Sequence, residues 1–225
     1  MREHIAELRT RVTNSLVVLA AVFIICYYFS NTLYSLVAKP FLNKLPAGTS
    51  LIATQVTAPF MVPMQLSFLC ALLISAPFLL YQAWQFISPG LYKHEKNHIA
   101  PTIIASCVLF YLGIIFALLV ICPVALKFFT SCAPNGVTVM LDIGNYLDFI
   151  VTLAIATGIA FQIPIITNLL MRLGIMSKQD LIAKRRHVIV LAFVLGMILA
   201  PPDVISQVLL ALPMWALFEL GLVFA

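Results

Sequence analysis

Charged side chains are scarce in this sequence: Asp, Glu, Lys and Arg together make up 9% of its 225 residues, against about a quarter in an ordinary soluble domain. Signatures of chemistry are missing as well. There is no Gly-rich Walker-type loop, no H-E-x-x-H and no G-x-S-x-G, so nucleotide hydrolysis and the common hydrolytic mechanisms lack their residues, and an enzyme is disfavoured. The five cysteines, Cys26, Cys70, Cys107, Cys122 and Cys132, show no CxxC spacing, and an odd number cannot form a complete disulfide framework; they read as small buried hydrophobes. The four histidines, His4, His94, His98 and His187, fall outside the long apolar blocks and read as solvated interfacial groups. An intramembrane hydrolase would therefore have no histidine base within a span. No cofactor, metal or nucleic-acid partner is expected, and without an internal repeat or low-complexity linker residues 1–225 read as one domain.

What the chain has in abundance is apolar surface, at 63% of residues. It falls in blocks near or above the ~20 residues needed to cross hydrocarbon, so the bilayer is its natural solvent. The expected class is an all-α polytopic membrane protein with six spans near Val12–Leu36, Phe60–Trp84, Ile99–Leu126, Tyr146–Leu170, Val188–Ala200 and Val204–Phe224. The first block lacks a small-residue cleavage site and is kept as part of the mature chain. Between the first two blocks, a loop from Lys39-Pro40 to Ala58-Pro59 is long enough for a small extramembrane cap, with Pro40 in a structural role.

Orientation follows from the cations. Arg2, Arg9, Arg11, Lys93, Lys96, Arg172, Lys178, Lys184, Arg185 and Arg186 fall on one side, against Lys39, Lys44 and Lys127 on the other. Ten against three puts both termini in the cytoplasm and accounts for most of the +5 net charge. The fifth and sixth helices are expected to be short. Val188–Ala200, ahead of Pro201-Pro202-Asp203, spans only ~20 Å against ~30 Å of hydrocarbon. Local thinning of the bilayer, shelter by neighbouring helices and a re-entrant hairpin are the three remedies, and thinning is favoured.

A few polar residues carry the remaining signal. Ile5, Leu8 and Val12 share a helical face, which predicts a short interfacial helix from which Glu7 projects. An i,i+4 pair with Arg11, worth ~0.3 kcal/mol, stands as the alternative role for Glu7. Glu95, just before the third span, either binds a cation or complements the positive end of a helix. Gln162 lies near the middle of the fourth block, where an unpaired amide is costly and is expected to face protein or water. Asp203 reads as a cap of the sixth helix, Asp148 as a dipole-matched residue opening the fourth, and Glu219 as an anchor reaching the interface. Pro77, Pro164 and Pro213 are expected to bend their spans.

Three separated motifs then resemble one family: His4-Ile5-Ala6-Glu7-Leu8-Arg9-Thr10-Arg11, the segment from Ser75-Ala76-Pro77 through Phe86-Ile87-Ser88-Pro89-Gly90-Leu91-Tyr92-Lys93-His94-Glu95, and Pro201-Pro202-Asp203-Val204-Ile205-Ser206-Gln207. All are similar to TatC, the receptor subunit of the twin-arginine protein translocase, and the resemblance runs in order through essentially the whole chain. It implies a concave bundle in the bacterial cytoplasmic membrane that binds twin-arginine signal peptides of folded cargo. It also implies assembly with TatA and TatB, self-association, and transport driven by the proton-motive force. Glu7 and Glu95 are the implied carboxylates, with Arg9, Phe86, Leu91, Lys93 and His94 around them. Paired carboxylates suit this task because a guanidinium fork donates parallel hydrogen bonds that an ammonium cannot reproduce. Met197, Ala200 and Gln207 are the implied partner contacts. Where many relatives carry an acid, this chain has Gln162, which makes a helix–helix hydrogen bond at least as good a reading as an ionisable step. A proton-coupled transporter of a small solute is the competing function, but it calls for paired broken helices around a midplane charge, and no clearly midplane charge is present.

Overall fold

The computed structural model describes residues 2–34, 51–52, 54–87, 99–132, 141–199 and 204–223. Helix α1 (Arg2–Tyr28) is a single uninterrupted element, and residues 30–34 continue as helix. The expected separate interfacial helix is therefore absorbed into the span. No Gly or Pro interrupts residues 2–28, and Thr10 and Thr13 donate back to the carbonyls of Ala6 (3.0 Å) and Arg9 (2.8 Å), so these polar residues are satisfied within the helix.

Helix α2 (Ala58–Ile87) has 30 residues and contains Pro63 and Pro77. The third apolar block is α3 (Ile99–Phe116), a π-helical turn over Ala117–Ile121, and α4 (Cys122–Ser131). Pro123 offers no N–H to close the preceding turn, and the wider π spacing sits immediately ahead of it. The fourth block divides into α5 (Ile143–Ala160) and α6 (Ile163–Arg172). Pro164 is the cause. It has no N–H for the Ala160 carbonyl, and its ring clashes there, so the helix stops at Ala160 and resumes after Phe161 and Gln162.

A short helix, α7 (Lys178–Ala183), opens on a reciprocal cap between Ser177 and Asp180. Helices α8 (Arg185–Leu199) and α9 (Val204–Val223) have 15 and 20 residues, or ~22 Å and ~30 Å. Among the described residues, four stretches are long and apolar enough to cross a membrane: Ala6–Tyr28, Ala58–Phe86, Ala100–Ser131 and Ile143–Arg172.

Helix α5 is the centre of the bundle. Leu153 and Ala160 join Ile121, Ala192, Leu210, Ala211 and Met214 in one cluster, which brings α8 and α9 onto α5. Val151 and Ala154 pack with Leu69, Ala76, Phe110 and Ile114 of α2 and α3 in another. Close approach of α3 to α5 depends on glycine. A Cβ at Gly113 would lie 2.8 Å from the Thr157 carbonyl oxygen, and one at Gly158 2.9 Å from the Phe110 ring. Without these side chains the two backbones come together, which is the main route to helix association where no hydrophobic force separates helix from lipid. By contrast, only 6% of the α1 span window is buried, against 44% for α5–α6. Of the cysteines, Cys26 and Cys122 are buried as expected, whereas Cys132 is exposed at the end of α4 and Cys70 and Cys107 are half-buried.

The start of α5 corrects the reading of Asp148, which is exposed in the second turn. Asp142 is the cap, accepting from the Asn145 amide at 3.0 Å. Its other oxygen accepts from the Thr54 amide at 2.8 Å and from the Thr54 hydroxyl. Beside it a two-residue parallel ladder joins β1 (Leu51–Ile52) to β2 (Leu141–Asp142), with Leu51 opposite Leu141 and Ile52 opposite Asp142. One carboxylate thus ties the segment before α2 to the start of α5.

Two outcomes are expected. Replacing Gly113 with Ala forces α3 away from the Thr157 carbonyl and destabilises the detergent-solubilised protein by about 1–3 kcal/mol in thermal unfolding. The Asp142 carboxyl is held at about 2, below its ordinary 3.8, by the Thr54 hydroxyl first and then by the Asn145 and Thr54 amides. Its contribution to stability is complete above 3.8 and is lost as pH falls through about 2. The Tm gap between the parent and Asp142→Ala is therefore constant from about pH 7 to about pH 5 and closes in strong acid.

Candidate functional site

Glu7 and Arg11 are one helical turn apart on α1 and so share a face. The Arg11 Nε and Nη2 both donate to Glu7 Oε1, at 3.0 and 2.6 Å. Its Nη1 reaches across to α2, donating to Gln82 Oε1 at 3.3 Å and Gln85 Oε1 at 3.1 Å. Gln85 in turn donates to the Tyr81 hydroxyl at 2.6 Å. Antiparallel packing sets this up. Further along the pair, Ser67 meets the Cys26 carbonyl and Phe23 packs edge-on against Phe68, so the start of α1 lies against the end of α2.

The pair remains open to solvent, with Arg11 21% and Glu7 34% exposed. Among the described residues, Glu7 Oε2 accepts no hydrogen bond. Arg9 is exposed and takes no part in the cluster, while Phe86 adjoins Gln85 in the last turn of α2 and is half-buried. Leu91, Lys93, His94 and Glu95 lie outside the described residues, as do Pro40, Ala200 and Asp203. The i,i+4 pairing of Glu7 is therefore real, but the grip on Arg11 by two glutamines of another helix was missed. Its signal was present: Gln82 and Gln85 stand three residues apart at the end of a largely apolar block.

A second polar focus lies inside the bundle. The Trp84 indole donates to the buried Ser106 hydroxyl at 2.8 Å, and the Gln162 amide donates to the Ser106 carbonyl at 2.9 Å. The Pro164 break places Gln162 outside regular helix, and its side chain joins the α5–α6 break to α3. A carbonyl partner accepts only, so position 162 must supply a donor.

At the last hairpin, Arg185 and Glu219 form an ion pair at 2.6 Å, so Glu219 is a partner of α8. Gln207 turns inward and donates to the Phe193 carbonyl at 3.0 Å, beside Gly196, which stitches α9 to α8. Met197 is 60% exposed. Among the described residues no group of three His, Cys, Asp or Glu gathers in a metal-ligating arrangement.

Together these features define a polytopic helical membrane protein with polar clusters at one end of its first helix pair, at a break in its central helix and at its last hairpin. The family model for the Sec-independent protein translocase protein (TatC) matches residues 3–213. The TatC protein of Escherichia coli strain K12 is 46% identical over 222 residues, 99% of this chain and 86% of the relative. That of Aquifex aeolicus is 35% identical over 224 residues, 99% of this chain and 92% of the relative. A crystal structure of the twin-arginine translocase receptor TatC superposes with a TM-score of 0.87 at 36% identity, over 98% of this chain and 96% of that one. This chain belongs to the TatC family.

Replacing Gln162 with Leu removes the donor to Ser106 and costs about 1 kcal/mol in thermal unfolding. Gln162→Glu can restore the bond only while protonated, so its deficit is smallest in mild acid and grows as the pH rises.

Proposed function

We propose that this protein is the receptor subunit of a twin-arginine translocase, binding twin-arginine signal peptides at the cytoplasmic face of the bacterial inner membrane through Glu7 and Glu95. The observation that carries the reading is the partly exposed Glu7 carboxylate, whose second oxygen accepts no hydrogen bond among the described residues, at the end of the α1–α2 pair. A guanidinium remains charged at any physiological pH and presents N–H groups in a rigid fork, so an oriented carboxylate is its natural acceptor. Lys93 and Lys96 flank Glu95 in the sequence and oppose a simple charge attraction, which favours recognition by shape and directed hydrogen bonds, with Phe86 and Leu91 as apolar lining.

The chain crosses the membrane six times as a single domain with both termini cytoplasmic, a topology supported by the ten-to-three partition of cations. It has no chemistry of its own. It assembles with TatA and TatB and with further copies of itself, and folded cargo is exported at the expense of the proton-motive force. Exposed Met197, with Ile198, Val194 and Val190 on the same helix, supports α8 as a partner-facing surface. At 15 residues, α8 also supports local thinning of the bilayer beside it.

Glu7→Gln and Glu95→Gln each weaken binding of a labelled twin-arginine peptide to the solubilised protein by about tenfold or more and block export of a folded reporter, with thermal stability retained. Binding in the parent declines moderately with added salt, because exposed ion pairs are screened over ~8 Å at physiological ionic strength. Unchanged peptide affinity in both variants would remove the assignment.

A further inference from the structure

Arg11 places a guanidinium of the protein's own on the carboxylate that the proposed function assigns to cargo. Three acceptors hold it: Glu7 Oε1 through two N–H groups, and Gln82 and Gln85 through Nη1. The glutamines are neutral and belong to another helix, and Tyr81 orients one of them. Arg11 is thus anchored independently of Glu7, and is not a loose side chain that an incoming cation sweeps aside.

Two effects follow at Glu7. Its charge is compensated by a partner at 2.6 Å, so a cation arriving on charge alone gains little. Its carboxylate plane is also fixed by two N–H groups on one oxygen, which leaves Oε2 as an acceptor of defined direction. A ligand that profits from this arrangement brings directed N–H groups and weak hydration. An ammonium is a compact, strongly hydrated point charge that depends on net attraction, whereas a guanidinium is planar, forked and weakly hydrated. Resting on the receptor reading above, we infer that Arg11 is the residue that makes the Glu7 site select a guanidinium over an ammonium. Arg11 is a positioning residue in this scheme: it acts through Glu7 and through the removal of bare charge.

The test compares two peptides, one with adjacent arginines ahead of an apolar stretch and the same peptide with both arginines replaced by lysine. Their affinities are measured for the full-length solubilised protein and for its Arg11→Gln, Arg11→Lys and Glu7→Gln variants. In Arg11→Gln the uncovered carboxylate attracts both peptides, the lysine peptide gains most, and the arginine-to-lysine affinity ratio falls about tenfold, the worth of one directed charge-assisted hydrogen bond. The salt dependence of binding steepens at the same time, because net charge has been exposed. Arg11→Lys keeps the compensation but loses the two-point grip, and lowers the ratio by less. If Arg11→Gln does not fold, Gln85→Leu, which loosens Arg11 and leaves Glu7 in place, lowers the ratio in the same direction. A ratio unchanged in these variants, or equal weakening of both peptides in Arg11→Gln, overturns the inference. If Glu7→Gln weakens arginine-peptide binding and the ratio is still unmoved, selectivity by Arg11 fails alone; if Glu7→Gln has no effect, the receptor reading fails and takes this inference with it.

Discussion

Hydrocarbon offers no water to satisfy a polar group, and the bundle is arranged around that lack. At several points where the chain departs from regular helix or carries a polar side chain at depth, a partner from another element is supplied. The stop at Ala160 is followed by Gln162 donating to Ser106, Trp84 meets the hydroxyl of the same serine, and Tyr111 donates to the Leu73 carbonyl at 2.8 Å. Helices α2, α3 and α5–α6 are therefore joined by directed bonds as well as by packing. Such bonds average only about 0.6 kcal/mol each in membrane proteins, so their importance lies in register: they permit one rotation of each helix where apolar surfaces alone would tolerate several.

The same constraint explains why Arg11 looks as it does. A guanidinium near the membrane surface needs its donors met, and a single carboxylate on its own helix cannot meet all of them. Gln82 and Gln85 supply neutral acceptors from α2, so α1, little of which is buried, is tied to α2 at this end. The contact that orients Glu7 thus adds to the packing of the first helix along α2.

Much of this was legible in the sequence, because the apolar blocks and the cation bias are long-range averages that local detail cannot erase. Three of the strong spans lie close to their blocks, whereas the first runs from Ala6 to Tyr28 and not from Val12 to Leu36, and Glu7 and Gln162 attract notice as polar residues in unlikely places. What was not legible depends on contacts between distant segments. Asp148 and Asp142 are equally plausible openings for a helix by composition; the actual helix start singles out Asp142, which caps it through the Asn145 amide and also receives Thr54, 88 positions away. The π turn before Pro123 leaves no residue pattern, since a proline can equally be met by a kink or a break. Likewise the bond from Gln207, whose implied role is a partner contact, to the Phe193 carbonyl is visible only once α8 is folded against it.

One consequence of the packing connects the two polar centres. Gln82, Trp84 and Gln85 occupy a single turn of α2. Two of them hold Arg11, and the third holds Ser106, which also accepts from Gln162 at the break in the central span. Because a helix turns as a rigid unit over so short a distance, a rotation of α2 that withdraws the glutamines from Arg11 must also move the indole on Ser106. Arg11 at the surface and Ser106 beside the α5–α6 break therefore contact the same turn of α2. Charge has no part in the inner half of this link, since Trp84, Ser106 and Gln162 are all neutral; whatever passes along α2 does so through hydrogen bonds and packing.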